Sequence, residues 1–532
     1  MEIYANKGCF QPGESITLTI LCDEETDVFY LTLLSMDRVV GEFSVTCAAN
    51  ATQAVLPPID ADFAGFAVIC RDNRGRECRC AFDVQRTIRA FRYGFLSDFT
   101  PRDGGEADVI SMAKHHINAV QFYDWSYRHD TLVADTDEYA DMMGKRNSLS
   151  VIRAKIASCH AHGMRALGYG AVYAASETFA QQHSDWRLYA GEAPLRFIDV
   201  FSIMNLRTQW KRHLIEQYRS AICGVGFDGI HMDTYGFPKT ALDSNGKTVH
   251  LEEDFPQLIE DTRKELPDAA LVFNNVGAWP MEKTMHAPTD AVYVEVWPPY
   301  KRYSDLKQLI LEAQRAGKPV VMAAYPAAFR TADADSALQS QLILTCLFAA
   351  HGATQLWFGE ENAAVTQGYY ADYSRLTEAQ EKTLRAYDDF FVRYEEWFFD
   401  PALRDVSSTH FDWDNIEYRC DFPCTVTGEA GKLWLILRED RGRKLISILN
   451  LCGDDSDLWA EGHAPAAAQK DVTLKVQCFG RTKSVLTAAP EIEGGDLRAC
   501  VFETVMGERS PEISVTLPVV GRFALIWIET EE

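Results

Sequence analysis

The chain has 532 residues, of which 77 are acidic and 52 are basic, and its formal charge of -25 disfavours nucleic acid or an anionic membrane as a partner. Its length suggests about three domains with buried cores of their own, and 47% of the residues are hydrophobic. Because the negative charge disfavours polyanionic partners, we expect a neutral ligand, and no apolar run is long enough to span a membrane.

The first ninety residues alternate in short β-type runs that are separated by turn-forming residues such as those at 11–14 and 71–75. This spacing is typical of a small β-sandwich, and we predict an immunoglobulin-like domain over residues 1–90. The predicted strands are 15–21, 28–34, 39–45, 66–70 and 79–84.

From about residue 91 the pattern changes to apolar strands that alternate with helices. Eight strands, each followed by a crossover segment, predict a catalytic (β/α)8 barrel, or TIM barrel, over residues 91–400. A doubly wound open sheet would normally have fewer strands and often a phosphate-binding glycine loop, which the sequence lacks. The predicted strands are 93–99, 119–123, 166–172, 227–233, 271–274, 291–296, 319–324 and 355–358, and helical periodicity marks 148–162, 207–222, 252–266, 304–316 and 336–350.

After a last helix near 377–397 the β character returns. The runs 433–438 and 444–451 flank a charged turn and predict a hairpin. Further strands are expected at 472–478, 513–517 and 523–529. We therefore predict a C-terminal antiparallel β-sandwich of the Greek-key type over residues 401–532.

The 14 cysteines are scattered singly apart from Cys78/Cys80 and Cys420/Cys424, and none has the spacing of a zinc site. The start of the sequence lacks the basic and apolar segments of a signal peptide. We therefore expect free thiols and a cytoplasmic location, with secretion as the alternative if a leader has been removed. The sequence indicates no cofactor, no metal ligand set and no particular oligomeric state.

Two of the predicted barrel strands end in carboxylates. Asp233 ends the fourth strand and Glu295 ends the sixth, so both should emerge at the carboxyl-terminal mouth of the barrel, on opposite flanks of a cleft. Burying an unpaired carboxylate is costly, and two of them facing one cleft are the equipment of a glycosidase. Tyr293 and Trp297 beside Glu295 would desolvate it partly and keep a proton available for a leaving group. Asp228 is better explained as a capping or ion-paired residue.

The loop after the second strand is dense in aromatic and polar groups, the mixture that sugar hydroxyls and sugar rings require. Further aromatic, amide and acidic residues follow other strands, including Tyr169, Asn274, Trp279 and Trp357. About half of these candidates should be packing residues. The predicted substrate-binding set is Asp124, Trp125, Tyr127, Arg128, His129, Tyr173, His231, Asn275, Trp297, Tyr325, Glu360 and Tyr370.

Four motifs resemble those of glycoside hydrolase family 66, the dextranases and cycloisomaltooligosaccharide glucanotransferases. They are 93–99, 121–125 with 127–129, 226–233 and 295–298. The resemblance covers the barrel and extends more loosely to both β domains, which match the family's usual flanking modules. It implies a retaining attack on α-1,6-linked glucan, with Asp233 matching the family's nucleophile and Glu295 its acid/base.

The expected substrate is therefore an α-glucan or isomaltooligosaccharide. Residues 319–373 contain no inserted carbohydrate-binding module of the kind typical of the cyclising enzymes, which favours dextranase-like hydrolysis over formation of cyclic isomaltooligosaccharides. An amylase-like α-glucosidase is the nearest alternative, although His231 stands where that group has arginine. A catalytically silent glycan-binding barrel is the alternative from another class, and the intact Asp233 and Glu295 disfavour it.

Overall fold

The computed structural model describes residues 1–22, 28–47, 50–103, 105–368, 371–412, 414–507 and 510–531. A parallel sheet of eight strands lies at its centre, and these strands neighbour one another in chain order. A parallel bridge between Gly94 and Phe358 brings the first and last strands together, so the sheet is a nearly closed barrel. The predicted barrel is confirmed, with strands Tyr93–Leu96, Ala119–Phe122, Arg165–Ala171, Gly229–Asp233, Ala270–Val276, Ala291–Glu295, Val320–Ala323 and Thr354–Gln355.

Helices follow the barrel strands and cover the outside of the sheet. Several of them begin at a residue whose side chain caps the free backbone N–H groups: Ser148 accepts from Val151 N, and Thr377 forms a capping box with Gln380. Among the described residues, no helix combines the length and the apolar composition needed to cross a bilayer. The longer helices are Ala107–Lys114, Leu149–Ala161, Trp210–Ser220, Phe255–Glu265, Tyr303–Ala313, Ala334–Ala350 and Glu378–Arg393, and the shorter ones are Glu177–Gln182, Met281–Thr284, Ala328–Thr331, Glu395–Phe398 and Ser407–His410.

Side chains inside the barrel come from every second residue of each strand, because successive side chains point to opposite faces. The interior apolar cluster includes Tyr93, Phe95, Val272, Tyr293 and Val321. Counting in twos from these residues towards the carboxyl ends of the strands gives the residues that face the mouth of the barrel.

Two antiparallel sheets precede the barrel and enclose one apolar core. The predicted strands of this region are all present, while the immunoglobulin-like assignment and the boundary at residue 90 stay predictions. One sheet contains Glu2–Ala5, Ile16–Leu21 and Ala51–Leu56, and the other contains Val28–Ser35, Arg38–Thr46, Phe63–Asp72 and Glu77–Gln85. Arg92, just before the first barrel strand, connects this region to the helices after the barrel. It pairs with Asp83 of the N-terminal sheet at 2.7 Å and with Glu395 of helix Glu395–Phe398 at 3.1 Å.

Two further antiparallel sheets follow the barrel and share a second apolar core. The predicted hairpin is present, and the Greek-key assignment and the boundary at residue 400 stay predictions. The larger sheet contains Arg404–Asp405, Cys424–Thr425, Leu433–Asp440, Arg443–Asn450, Thr482–Ala488, Arg498–Ala499 and Phe523–Thr530, and the smaller contains Tyr418–Cys420, Gln469–Gln477, Phe502–Met506 and Pro511–Val520.

Small sheets are inserted in the loops that follow the barrel strands. Strands Ala174–Ala175, Arg196–Phe197 and Phe201–Ile203 form one of them between the third and fourth barrel strands. This insertion brings aromatic side chains to the mouth of the barrel. The other inserted strands are Tyr189–Ala190, Ala193–Pro194, Thr240–Leu242 and Thr248–His250 in one sheet, Glu138–Ala140 with Arg146–Ser148, and Ala363–Gln367 with Asp372–Arg375.

The fourth barrel strand, which carries Asp233, packs tightly against the fifth at its start. A Cβ atom on Gly229 would lie 1.8 Å from Ala270 O, which is backbone and cannot move aside. We therefore expect Gly229→Ala to cost about 1–3 kcal/mol of stability and to lower the Tm in a thermal melt. Gly224→Ala is the control, because nothing lies within 4 Å of its Cβ position and the change should stay within about 0.5 kcal/mol. Equal melting temperatures for the two variants would contradict the packing described for this strand.

Candidate active site

A cavity of about 780 Å³ opens at the carboxyl ends of the barrel strands. Residues of the first six barrel strands, of the loops after them and of the segments after the seventh and eighth strands line it, as expected for the functional face of this fold. The lining residues are Phe95, Gln121, Tyr123, Tyr169, Phe197, His231, Asp233, Thr234, Tyr235, Asn274, Val276, Tyr293, Glu295, Trp297, Tyr325 and Gly368.

Asp233 and Glu295 face each other across this cavity, and the amide of Asn274 lies between them. Asn274 Nδ2 donates to Asp233 Oδ1 at 2.6 Å and to Glu295 Oε2 at 3.0 Å. These two oxygens can be separated by at most the sum of the two distances. Asn274 belongs to the fifth strand, which runs between the strands of the two acids. One amide thus spans the two carboxyl groups.

Two tyrosine hydroxyls complete the contacts of the acids. Tyr169 donates to Asp233 Oδ2 at 2.8 Å, and Tyr325 donates to Glu295 Oε1 at 3.1 Å. Each carboxyl group therefore accepts a tyrosine hydroxyl and the shared amide, and no lysine or arginine is among its partners within the described residues.

Desolvation raises the pKa of both acids, and no paired cation among the described residues offsets it. Burial raises the pKa of Asp233 to about 7, and the negative charge of Glu295 adds to the effect. Burial also raises the pKa of Glu295, against hydrogen bonds from Asn274, Trp297 and Tyr325. Two acids this close titrate as a pair, so around neutral pH they share a single proton.

His231 lies below the two acids in the barrel interior. Its Nδ1 is 2.9 Å from the hydroxyl of Tyr93, and its ring packs edge-on against Tyr293. Burial lowers the pKa of His231 to about 3, so the imidazole is neutral near pH 7. It offers the cavity a polar, uncharged floor.

Two buried amide oxygens in the cavity lining have nothing to bind. Within the part of the chain that the structure describes, Gln121 Oε1 and Asn274 Oδ1 are buried without a hydrogen-bond partner. Leaving such an acceptor unpaired costs about 1–3 kcal/mol, so both are suited to receive hydroxyl groups of a ligand.

An aromatic wall stands on the side of Asp233. The rings of Phe197 and Tyr235 stack at 4.1 Å between centroids, and both line the cavity. Phe197 comes from the inserted three-stranded sheet, and Tyr235 follows Asp233 by two residues. Trp297 and Tyr325 lie together on the side of Glu295, with centroids 6.3 Å apart. Flat apolar walls with polar groups between them suit a sugar ring.

Glu360 and Asp124 lie in a second cavity of about 1430 Å³, which shares Tyr123 with the first. Glu360 is almost fully buried and accepts from Ser97 N at 2.6 Å and from the Ser97 hydroxyl at 3.0 Å. It fastens the end of the first barrel strand. Burial raises the pKa of Asp124 to about 7, and Asp141 adds to this rise.

Three residues of the predicted substrate-binding set do not reach the cavity and act as packing or anchoring residues. Trp125 is fully buried, donates to Tyr169 O at 3.1 Å and packs on Phe227. The Tyr173 hydroxyl donates to Phe237 O, and Asn275 Nδ2 donates to Tyr293 O at 2.8 Å. Asn275 points out of the barrel because Asn274 points in.

The remaining predicted residues of the second loop also lie outside the cavity lining. Arg128 lies 4.0 Å from the ring of Tyr127 and donates to Ala140 O. His129 is buried against Phe201 and Tyr169, and through the ring of Tyr169 it supports the hydroxyl that holds Asp233. Of the predicted set, His231, Trp297 and Tyr325 line the cavity, whereas Tyr370 lies outside the described residues.

The cavity includes residues that the predicted set left out: Gln121, Tyr169, Phe197, Tyr235 and Asn274. For Gln121, Tyr169 and Asn274 the signal is the two-residue alternation along their strands, which places them on the inner face. Phe197 belongs to an inserted sheet and Tyr235 to the loop directly after the fourth strand, outside the strands to which the alternation applies. As predicted, Asp228 has a structural role, with His160 Nε2 at 2.8 Å and Ala166 N at 2.7 Å.

Comparison with known proteins also indicates a glycoside hydrolase. A family model described as glycosyl hydrolase family 66 matches residues 5–524. Two cycloisomaltooligosaccharide glucanotransferases from Niallia circulans are 26% identical over 368 residues and 24% identical over 370 residues. Each match covers 61% of this chain and 38% of the relative, so the matched region spans well under half of these longer proteins.

Solved structures share the fold. A cycloisomaltooligosaccharide glucanotransferase from Paenibacillus sp., complexed with cycloisomaltoheptaose, superposes with a TM-score of 0.89 at 19% identity and over 99% of each chain. An α-amylase from Geobacillus thermoleovorans, complexed with acarbose, gives a TM-score of 0.53 at 10% identity, over 84% of this chain and 100% of that chain. At these identities the likeness is one of architecture.

The buried acid pair predicts that replacing Asp233 makes the protein more stable at high pH. The pKa of Asp233 is raised in the folded state, so folding retains a proton that the unfolded chain loses near pH 4, and stability falls as the pH rises from about 4 to about 7. Asp233→Asn leaves one buried charge instead of two. We expect it to gain about 1–3 kcal/mol at pH 8, measured as a higher Tm, and to lose this advantage at pH 4.

The control is Glu260→Gln on the exposed face of an outer helix, which should melt like the parent at both pH values. If Asp233→Asn melts at or below the parent temperature at pH 8, the burial cost assigned to the acid pair is wrong.

Proposed function

Because the chain belongs to glycosyl hydrolase family 66, the family that its barrel motifs predicted, we propose that it cleaves α-1,6-linked glucan or isomaltooligosaccharide with retention and transfers the glucosyl unit to an acceptor. The observation that carries the proposal is the bridge of Asn274 Nδ2 between Asp233 and Glu295. Because one nitrogen contacts both, these two carboxyl oxygens are no farther apart than the sum of the two contacts, which is compatible with the about 5–5.5 Å of retaining enzymes and less than the about 6.5–9.5 Å of inverting ones.

In the first step Asp233 is the nucleophile and Glu295 the general acid. The Asp233 carboxylate attacks the anomeric carbon while Glu295 gives its proton to the departing glycosidic oxygen. The bond from carbon to that oxygen breaks as the bond to Asp233 forms, which leaves a glycosyl-enzyme and a shortened glucan. The single proton shared by the pair at neutral pH suits this step, since one acid must be charged and the other protonated.

In the second step Glu295, now charged, takes a proton from an acceptor hydroxyl that attacks the same carbon and releases Asp233. If the acceptor is water the outcome is hydrolysis, and if it is a sugar hydroxyl the outcome is a new glycosidic bond. Two inversions at one carbon restore the original configuration.

Transfer is favoured over hydrolysis by two observations. The curated relatives and the Paenibacillus structure carry the name of a glucanotransferase, and that structure is matched over 99% of each chain, so the missing insertion no longer separates the two reactions. The stacked rings of Phe197 and Tyr235 next to Asp233 also give a second sugar an apolar wall on which to displace water.

Hydrolysis remains the second candidate, because water can attack the glycosyl-enzyme in the same second step. Both candidates need the same acid pair. They differ only in what attacks the glycosyl-enzyme.

Incubation with dextran and with isomaltooligosaccharides, followed by chromatography and mass spectrometry, tests the proposal. We expect longer or cyclic isomaltooligosaccharides, the cyclic ones lighter than their linear counterparts by one water, and no product from starch or pullulan. Short linear products alone would identify a dextranase and remove the transfer step. Glu260→Gln, an exposed acid on an outer helix, is the control for activity and should match the parent.

The separate roles of the two acids predict different responses to the leaving group. Asp233→Ala should lose at least about 10³-fold in kcat/KM on every substrate, because no glycosyl-enzyme can form. Glu295→Gln should lose about as much on glucan but far less in the first step with an aryl α-glucoside whose leaving group needs no proton. Its pH profile should also lose the alkaline limb that deprotonation of Glu295 gives the parent. A variant of Glu295 that is equally impaired on both substrates would contradict its role as the acid.

A further inference from the structure

Two pairs of cysteines outside the catalytic cavity lie with their thiols together. None of these four cysteines, Cys70, Cys78, Cys420 and Cys424, forms a disulfide in this structure. Cys70 belongs to strand Phe63–Asp72 and Cys78 to strand Glu77–Gln85, and the two are directly opposite each other in the antiparallel ladder. Each thiol shifts the pKa of the other, raising that of Cys70 and lowering that of Cys78.

The second pair stands at a corner of the C-terminal region. Cys420 ends strand Tyr418–Cys420, and Cys424 begins strand Cys424–Thr425. The two strands belong to different sheets, so the intervening residues cross from one sheet to the other. The side chains of Cys420 and Cys424 both pack against the apolar core of this region, and each thiol shifts the pKa of the other.

The placement of the first pair meets the requirement of a disulfide without backbone movement. Residues directly opposite in an antiparallel ladder have Cα atoms about 4.5–5.5 Å apart, within the range of about 4.4–6.8 Å that disulfides span. In the second pair three residues separate the cysteines, and both side chains pack against the same apolar core.

We propose that Cys70/Cys78 and Cys420/Cys424 are two sites of reversible disulfide formation by exchange with an oxidised low-molecular-weight disulfide. In each pair one thiolate attacks a sulfur of the external disulfide and expels one thiolate from it. The second cysteine then attacks the mixed disulfide and expels the other. Two protein thiols lose two protons and two electrons, and the external disulfide is reduced to two thiols.

Burial and the thiol pKa assign the order of attack in the first pair. Cys70 is fully buried, whereas Cys78 is partly exposed and so can meet the external disulfide. The neighbouring Cys70 side chain also lowers the pKa of the Cys78 thiol, which favours its thiolate. Cys70 is then the cysteine that resolves the mixed disulfide. Cys424 lowers the pKa of Cys420 in the same way.

The two bonds would tie different parts of the protein. One would close the hairpin between neighbouring strands of the N-terminal sheet, and the other would staple the two C-terminal sheets at their corner. Such bonds form in oxidising compartments and stay reduced in a cytosol kept reducing by glutathione. The two pairs would therefore be reduced in a reducing compartment and disulfide-bonded in an oxidising one, independently of the action on glucan.

The test is incubation of the whole protein with oxidised glutathione, followed by thiol counting after denaturation and by mass spectrometry of non-reduced digests. We expect each pair to lose two hydrogens as its disulfide forms. Cysteines that form neither a disulfide nor a glutathione adduct should still be counted as thiols. Trypsin cleaves after Arg71, Arg74 and Arg76, so peptides containing Cys70 and Cys78 should stay joined only through the disulfide. Cleavage before Asp421 separates Cys420 from Cys424 in the same way.

Single variants make the assignment specific. Cys70→Ser should abolish the first linked peptide and leave a glutathione adduct on Cys78, and Cys424→Ser should do the same for Cys420. Cys223 is the matched control, because it is exposed and lies in a helical segment, away from both pairs in the sequence. It should give a glutathione adduct but no linked peptide. Formation of both bonds should raise the Tm of the parent, and dithiothreitol should reverse it.

Two results would overturn the proposal. One is a parent protein that carries glutathione adducts on Cys78 and Cys420 without linked peptides. The other is linkage that persists in Cys70→Ser or Cys424→Ser, which would mean that other cysteines form the bonds.

Discussion

Two carboxyl groups that share one amide donor determine how this cavity is built. Asp233 and Glu295 are both partly buried, and Asn274 Nδ2 donates to both of them. Without a cation beside them, the pair favours a state with one proton. The hydroxyls of Tyr169 and Tyr325 and the neutral imidazole of His231 are polar but uncharged. They therefore do not neutralise the remaining negative charge of the pair. The same state is the one from which a retaining glycosidase begins.

The barrel supplies that arrangement through the alternation of its strands. Asp233, Asn274 and Glu295 come from three consecutive strands, and each is an inward-facing residue near the carboxyl end. A shift by one residue in any of them would turn the side chain to the helices, as the neighbour Asn275 demonstrates by bonding to Tyr293 O. The tight contact at Gly229 keeps the fourth strand in register with the fifth. Register therefore fixes the chemistry.

The sequence was sufficient for the barrel, the family and the positions of the acids, because these depend on strand periodicity and on local motifs. It was less reliable for the substrate-binding set. Trp125 and Tyr173 look like sugar-binding aromatics in a linear motif, but Trp125 fills the core and Tyr173 anchors the loop after Asp233. Asn275 was chosen over Asn274 although alternation distinguishes them. Phe197 could not have been found, since its place at the cavity depends on an inserted sheet that meets the barrel only in three dimensions.

In the proposed mechanism, the balance between hydrolysis and transfer depends on how long the glycosyl-enzyme persists before a sugar, and not water, attacks it. The acid pair itself would not discriminate, since Glu295 would deprotonate either acceptor. Discrimination must come from the wall beside Asp233, where Phe197 and Tyr235 stack and where a sugar ring would bury apolar surface that water cannot. Because Tyr235 follows the nucleophile strand directly while Phe197 reaches in from an insertion, acceptor preference can change with the insertion while the catalytic strands stay as they are. The chemistry and the acceptor site are thus carried by separate parts of the chain.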